Sequence, residues 1–420
     1  MSAAAQITNC SHSHDAWHRS RVFRSLAGVS LLVPVLLFAQ SQQPPASDSR
    51  RQTALVFEQQ GKNREAELQW RAILKDHPQN PEPMAHIGLL EARQEHYKEA
   101  VTYYRKALAI NPNVPGLRLN LALALFKSAQ LKEAIPELEI LRKSATPNSA
   151  DARRVSILIG MSYYGLGEYA KAAPYLEEAS DADPSNLQLL LTLEHSYLWS
   201  GKLTNVLDVY HKILVLNPDS AEADMVAGEA LDELKEKADA IAMFRAAVKA
   251  DPKLSNAHFG LGYLLWTQRQ YPEAAQEFQA ELINNPKHAQ AMLYLADADL
   301  QMNKTDEAAP LFESAIKLDP SLNLAHLDLG ILDALTGKNE DAVRELLIAE
   351  KQRPKDVDVH WRLARLYKTM GKKEEAKAEF DKASSLTKEN DDDLFKKIDN
   401  GSKHPPEHPQ PQTPAGPNEK

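Results

Sequence analysis

Along most of the chain, apolar and polar residues recur with the period of a helix, in pairs of stretches separated by short polar breaks. Residues 289–320, AQAMLYLADADLQMNKTDEAAPLFESAIKLDP, show one such pair. Met292, Leu295 and Leu300 share one face, NKTD interrupts the run, and Ala308, Phe312 and Ala315 make a second face at intervals of four and three. Prolines punctuate the pattern. Pro78, Pro112, Pro147, Pro184, Pro218, Pro252, Pro286, Pro320 and Pro354 follow one another at 34, 35, 37, 34, 34, 34, 34 and 34 residues. Proline cannot continue a helix and pushes the residue before it out of the helical region, so the ladder predicts a series of helix stops. Gly61, Gly167, Gly201, Gly337 and Gly371 recur at the break inside the pair, where a left-handed turn residue is required. The expected fold is all-α, a repeated helix–turn–helix. Pro136, Pro174 and Pro310 fall at one place in the second helix and predict a tolerated bend there.

The unit resembles the tetratricopeptide repeat, whose 34-residue pattern runs Trp-x2-Leu-Gly-x2-Tyr, then Ala, an aromatic, Ala and Pro. Residues 81–112 carry Ile87, Gly88, Ala100, Tyr104, Ala107 and Pro112. Residues 255–286 carry Leu261, Gly262, Ala274, Phe278 and Pro286, with Glu281 in place of the second Ala. Residues 323–354 carry Leu329, Gly330, Ala342, Leu346, Ala349 and Pro354. Residues 357–390 keep Leu363, Ala364, Tyr367, Ala376, Phe380 and Ala383, with Lys388 where the proline should stand. The weakest unit is 187–220, where Glu194 and Val206 replace small residues. Ten repeats are expected over 47–390, starting near 47, 81, 115, 153, 187, 221, 255, 289, 323 and 357, with the surplus residues in a loop around Thr146–Ala152. Residues 391–400 read as a short C-terminal capping helix stopped by Gly401, and the proline-rich 401–420 as a disordered tail.

The resemblance implies a right-handed superhelical solenoid whose first helices line a concave groove. It puts Met161 and Tyr164, then Leu191, His195, Leu198 and Trp199, and then Phe259, Tyr263 and Trp266 on that lining, with an acidic step of Glu229, Asp232 and Glu233 between them. Two readings of the rings stay open: anchors for a partner, or packing against the neighbouring repeat. Chaperone-binding members clamp a terminal carboxylate with paired Asn and Lys residues. Here the relevant position holds Asn120 once, and His86, Leu158, Thr192 and Gly260 in other repeats, so that clamp is not expected.

The N-terminus departs from the pattern. Arg19, Arg21 and Arg24 precede an apolar stretch, Leu26–Ala39, and a polar segment follows. That order predicts a signal peptide over 1–39 with a linker over 40–46, and export to the periplasm of a Gram-negative bacterium; an uncleaved anchor in the inner membrane is the other reading. The sole cysteine, Cys10, lies in the segment to be removed, which excludes disulfides and thiol chemistry from the exported chain. Once the signal is removed, no stable membrane insertion is expected. A net charge of −9 argues against nucleic acid as a partner.

Catalytic signatures are missing. Gly330 and Gly337-Lys338 lack phosphate-loop spacing, and neither H-E-x-x-H nor G-x-S-x-G occurs. His258, His326 and His360 recur at one repeat position, which reads as a positional preference rather than a metal site. No cofactor and no enzyme activity are expected. The chain reads as a scaffold that binds proteins or peptides in its groove. A structural subunit of an envelope secretion or assembly complex, and a carbohydrate-binding or enzyme-associated module, are the alternatives.

Overall fold

The computed structural model describes residues 45–147 and 149–402. The signal segment, most of the linker, and the tail beyond Ser402 lie outside the described residues. Every regular element within them is an α-helix, and the chain divides into two compact units, 1–254 and 255–420.

Among the described residues the first unit holds twelve helices: α1 (Pro45–Gln59), α2 (Asn63–Asp76), α3 (Pro81–Arg93), α4 (Tyr97–Ile110), α5 (Leu117–Lys127), α6 (Leu131–Ser144), α7 (Ala150–Gly165), α8 (Tyr169–Ala182), α9 (Leu187–Trp199), α10 (Leu203–Leu216), α11 (Ala221–Glu233) and α12 (Lys237–Ala250). The second holds eight: α13 (Ala257–Thr267), α14 (Tyr271–Asn284), α15 (Ala289–Gln301), α16 (Thr305–Leu318), α17 (Asn323–Leu335), α18 (Asn339–Gln352), α19 (Val357–Thr369) and α20 (Lys373–Ser402). Odd-numbered helices are the first of each pair and even-numbered the second. Each second helix packs on its own first helix, and within each unit on the first helix of the next pair as well. First helices also touch the next first helix: α9 meets α11 in the first unit, and α13, α15, α17 and α19 meet in succession in the second.

Each pair closes through the same backbone turn. Its left-handed residue is Gly61, Gly167, Gly201, Gly337 or Gly371, as the sequence predicts, but Glu95, Ala129, Lys235, Arg269 and Asn303 adopt the same positive φ in the other five pairs. In all ten, the next N–H donates to the carbonyl five residues back, as in Lys62 to Phe57 at 2.9 Å and Lys304 to Asp299 at 2.8 Å. This Schellman closure satisfies carbonyls that the helix end leaves orphaned.

Small residues set the spacing inside a pair. Ala66, Ala100, Ala134, Ala172, Ala240, Ala274, Ala308 and Ala342 are all fully buried at one repeat position. A Cβ on Gly262 would come within 2.9 Å of the Phe278 ring sixteen residues on, so bulk on the second helix requires its absence on the first. The three interior prolines sit in α6, α8 and α16, which have the same 14 residues as the second helices without one. The prolines therefore cost the helices no length.

Three boundaries differ from expectation. The surplus residues before the fourth repeat form helix rather than loop: α7 runs to 16 residues because Ser149 caps it, accepting from the Ala152 N–H at 3.1 Å. Helix α1 takes in the last two linker residues. The separate capping helix at 391–400 is the continuation of α20, a single helix of 30 residues that includes Gly401 and Ser402. No proline lies between Pro354 and Pro405, so nothing stops the helix where every earlier repeat ends.

Candidate binding face

The first helices carry the candidate residues, and the structure sorts them by depth. In the first unit, Met161 and Tyr164 on α7 and Leu191 and His195 on α9 are buried, while Leu198 and Trp199 at the end of α9 keep part of their surface open. Tyr164 packs edge-on against Tyr169 at 5.4 Å between ring centres, and Tyr169 packs on Trp199 at 6.2 Å. In the second unit, Phe259 and Tyr263 on α13 are buried and Trp266 is half-buried. Tyr263 and Trp266 both meet Tyr294 of α15 edge-on, at 5.2 and 5.1 Å. Tyr263 and Trp266 are therefore spent on the next pair and Tyr164 on its own, while Trp199, Trp266 and Leu198 keep only part of their surface open.

The acidic step on α11 is deeper than its sequence suggests. Glu233 is exposed, Asp232 is buried and Glu229 is in between. Burial pushes Glu229 up to about 7; His195 opposes, while Glu233 and Asp232 add. Burial raises Asp232 as well, against the pull of Lys235 and Lys237. His195 Nε2 lies 3.7 Å from Glu222. Behind this step sits Glu194, at the repeat position that other units give to Gly or Ala. It is fully buried, and neither carboxyl oxygen has a hydrogen-bond partner. Burial, with Glu222 and Asp224 adding, drives it well above the ordinary carboxylate range. Tyr210, sixteen residues on, donates its hydroxyl to Asp224 at 2.7 Å.

Glu281, the other departure from the small-residue pattern, has found a use. Fully buried, it accepts from the Asn256 and Phe259 N–H groups at 3.4 Å, so its charge sits at the N-terminus of α13.

The three repeated histidines do not share a site. His258, His326 and His360 each pair with a glutamate nineteen residues on, in the second helix of the same repeat: Glu277 at 2.6 Å, Glu345 at 2.7 Å and Glu379 at 2.6 Å. Glu350, His360 and Glu379 come close enough together to hold a metal ion. Lys382 Nζ already lies 2.9 Å from Glu350 and 2.8 Å from Glu379, so an ammonium serves both carboxylates.

Sequence reasoning missed the acids within the apolar first helices of the second unit. Asp297 on α15 and Asp328 on α17 are buried, and Trp266 Nε1 donates to Asp297. The available signal was a lone carboxylate inside a run such as Asn323–Leu335, NLAHLDLGILDAL, where helical spacing puts Asp328 on the same stripe as Leu324, Ile331 and Leu335. No described helix is long and apolar enough to cross a membrane.

Comparison with known proteins adds the following. A family model described as "Tetratricopeptide repeat" matches residues 51–115, 201–255, 259–323 and 295–356. Two further models with that description match 91–155, and 154–186 with 357–390. Among curated proteins, "TPR repeat-containing thioredoxin TTL4" of Arabidopsis thaliana is 34% identical over 115 residues, 27% of this chain and 16% of that protein. "Superkiller complex protein 3" of Mus musculus is 27% identical over 187 residues, 42% of this chain and 12% of that protein. "Cellulose synthase operon protein C" of Pseudomonas fluorescens (strain SBW25) is 26% identical over 151 residues, 34% of this chain and 12% of that protein. The chain thus spans less than a fifth of each of these relatives. Among solved structures, that of YrrB, "a TPR protein with an unusual peptide-binding site", is similar with a TM-score of 0.39 and 20% identity, covering 45% of this chain and 97% of that one. The "Structure of Naa15/Naa10 bound to HypK-THB" gives 0.42 and 18%, covering 81% and 58%.

Proposed function

This chain belongs to the tetratricopeptide repeat family, and we propose that it is a non-catalytic scaffold that holds peptide segments or partner proteins against its first helices. The observation that carries this reading is the outward apolar surface on those helices. Leu335 at the end of α17 is 71% exposed, Trp361 on α19 is 38% exposed, and Leu198, Trp199 and Trp266 keep open surface. Large aromatic and aliphatic groups left open beside a packed wall are what a partner's anchors require. Affinity capture from the native cells with Trp199→Ala and Leu335→Glu beside the parent tests it. At least one variant should lose a captured protein while keeping its helicity. Identical captured sets from all three chains would refute the use of these first helices.

The place of action we propose is outside the cytoplasm. Support comes from the basic-then-apolar order of Arg19–Ala39 and from the confinement of cysteine to Cys10.

A further inference from the structure

The stripe on α17 made by Leu324, Asp328, Ile331 and Leu335 is apolar except for one acid. Leu335 stands in solvent, Ile331 and Leu324 are partly open, and Asp328 lies beneath them at 7% exposure. Its Oδ2 is buried without a hydrogen-bond partner. A carboxyl oxygen left so forfeits the hydrogen bonds it had in water.

The neighbouring helices make the orphan oxygen more specific. On α15, which packs against α17, Asp297 is buried and held by Trp266 Nε1 and by Gln301 Nε2, the latter at 3.2 Å. Burial raises both acids, and the charge of Asp297 further opposes ionisation of Asp328. On α19, Asp358 adds a third acid. Arg362 is the basic group that favours the charged form of Asp328, but its Nε is engaged by Asp358 Oδ2 at 2.7 Å. Two buried carboxyl groups on the packed helices α15 and α17 thus oppose each other's charge, and the guanidinium that favours ionisation of one is bound to a third.

We infer that Asp328 and Asp297 form the seat for a lysine or arginine side chain of an otherwise apolar partner segment laid along the α17 stripe. This rests on the scaffold reading above and names the chemistry of its partner. A cation at the seat gives the orphan oxygen a donor and lets both carboxyls carry charge. An acidic guest meets three carboxyl groups, and a purely apolar guest leaves Oδ2 as it is. The alkyl stem of the basic side chain lies against Ile331, and an apolar neighbour in the segment covers Leu335.

An oriented peptide library tests the inference on the full chain. The probes are acetylated, amidated decapeptides of mixed apolar residues with one central position fixed in turn as Lys, Arg, norleucine or Glu. The parent should prefer the Lys or Arg pool over norleucine by about tenfold or more, as expected of a charge-assisted bond in a shielded site. Asp328→Asn should bring that ratio close to one while the norleucine pool binds as before. Leu335→Glu, at an exposed site that leaves the fold alone, should weaken every apolar pool. Equal binding of the Lys and norleucine pools, no binding by any pool, an unchanged ratio in Asp328→Asn, or no effect of Leu335→Glu overturns the inference. Affinity capture run in parallel separates the two readings. If Asp328→Asn captures the same native partner as the parent, the seat is wrong and the scaffold stands. If no protein is retained above a mock column, the scaffold reading itself falls.

Discussion

Replacing Glu194 with methionine should stabilise the protein, and by more as the pH rises. The side chain is fully buried on α9, its two oxygens have no partner, and Glu222 and Asp224 add unfavourable charge. Methionine fills a similar volume without polar atoms. Leaving a buried polar group unsatisfied costs about 1–3 kcal/mol, so the variant should gain roughly 2 kcal/mol at neutral pH. The sign of the pH term follows from the direction of the shift. A carboxyl raised in the folded state binds its proton more tightly there than in the unfolded chain. The folded state then holds more protons at pH values between the two, and stability falls as pH rises through that window at up to about 1.4 kcal/mol per unit. Lowering the pH removes the ionisation part of the penalty and leaves that of the unsatisfied polar group. Urea unfolding followed by helical circular dichroism at pH 5.5, 7 and 8.5 measures the difference between parent and variant. Glu229, raised to about 7, titrates in both chains and drops out of that difference. Glu194→Gln, which stays polar but cannot ionise, should lose the pH dependence, regain the ionisation part of the stability and remain below methionine. A methionine variant weaker than the parent, or a difference flat across pH, would refute the reasoning.

Other substitutions probe the turns and the rings. Arg269→Gly should stabilise the α13–α14 turn by a few tenths to about 1 kcal/mol, because a left-handed Arg is strained, whereas Gly337→Ala should cost about 1 kcal/mol; paired thermal melts decide. Tyr263→Ala should destabilise by about 3–5 kcal/mol as a buried ring, while Trp199→Ala, at a half-buried ring that packs on Tyr169, should cost less than that and lower partner capture. Mature protein from the native host should begin near Gln40, and intact Met1 on soluble cytoplasmic protein in mass spectrometry would refute export.

Much of the fold was legible because helix punctuation is local. The proline ladder and five glycines announce turns without reference to tertiary structure. Glu95, Ala129, Lys235, Arg269 and Asn303 hide the same turn, since an ordinary residue tolerates a left-handed φ when five-back hydrogen bonding holds it there. The long α7 was hidden for the opposite reason: a serine cap looks like loop composition until its side chain meets the Ala152 N–H. Depth on the binding face was harder to read. Helical spacing puts Tyr164 and Trp199 on similar stripes, but only the neighbouring helix decides that one is covered and the other half-open. Asp328 escaped notice because a single acid in a helix reads as solvated, and its burial depends on neighbouring helices, α15 and α19, that lie far from it in sequence.

Each pair of helices closes its own turn with its own backbone atoms. A copying error at the gene level that duplicates or deletes one 34-residue stretch therefore brings or removes its closure whole. Only side chains at two seams must be reconciled afterwards, not any hydrogen-bonded backbone. A chain built this way can change its length in evolution by whole repeats far more readily than by single residues, and a face such as that of α17 can be copied, moved along the array or doubled before any of its residues changes.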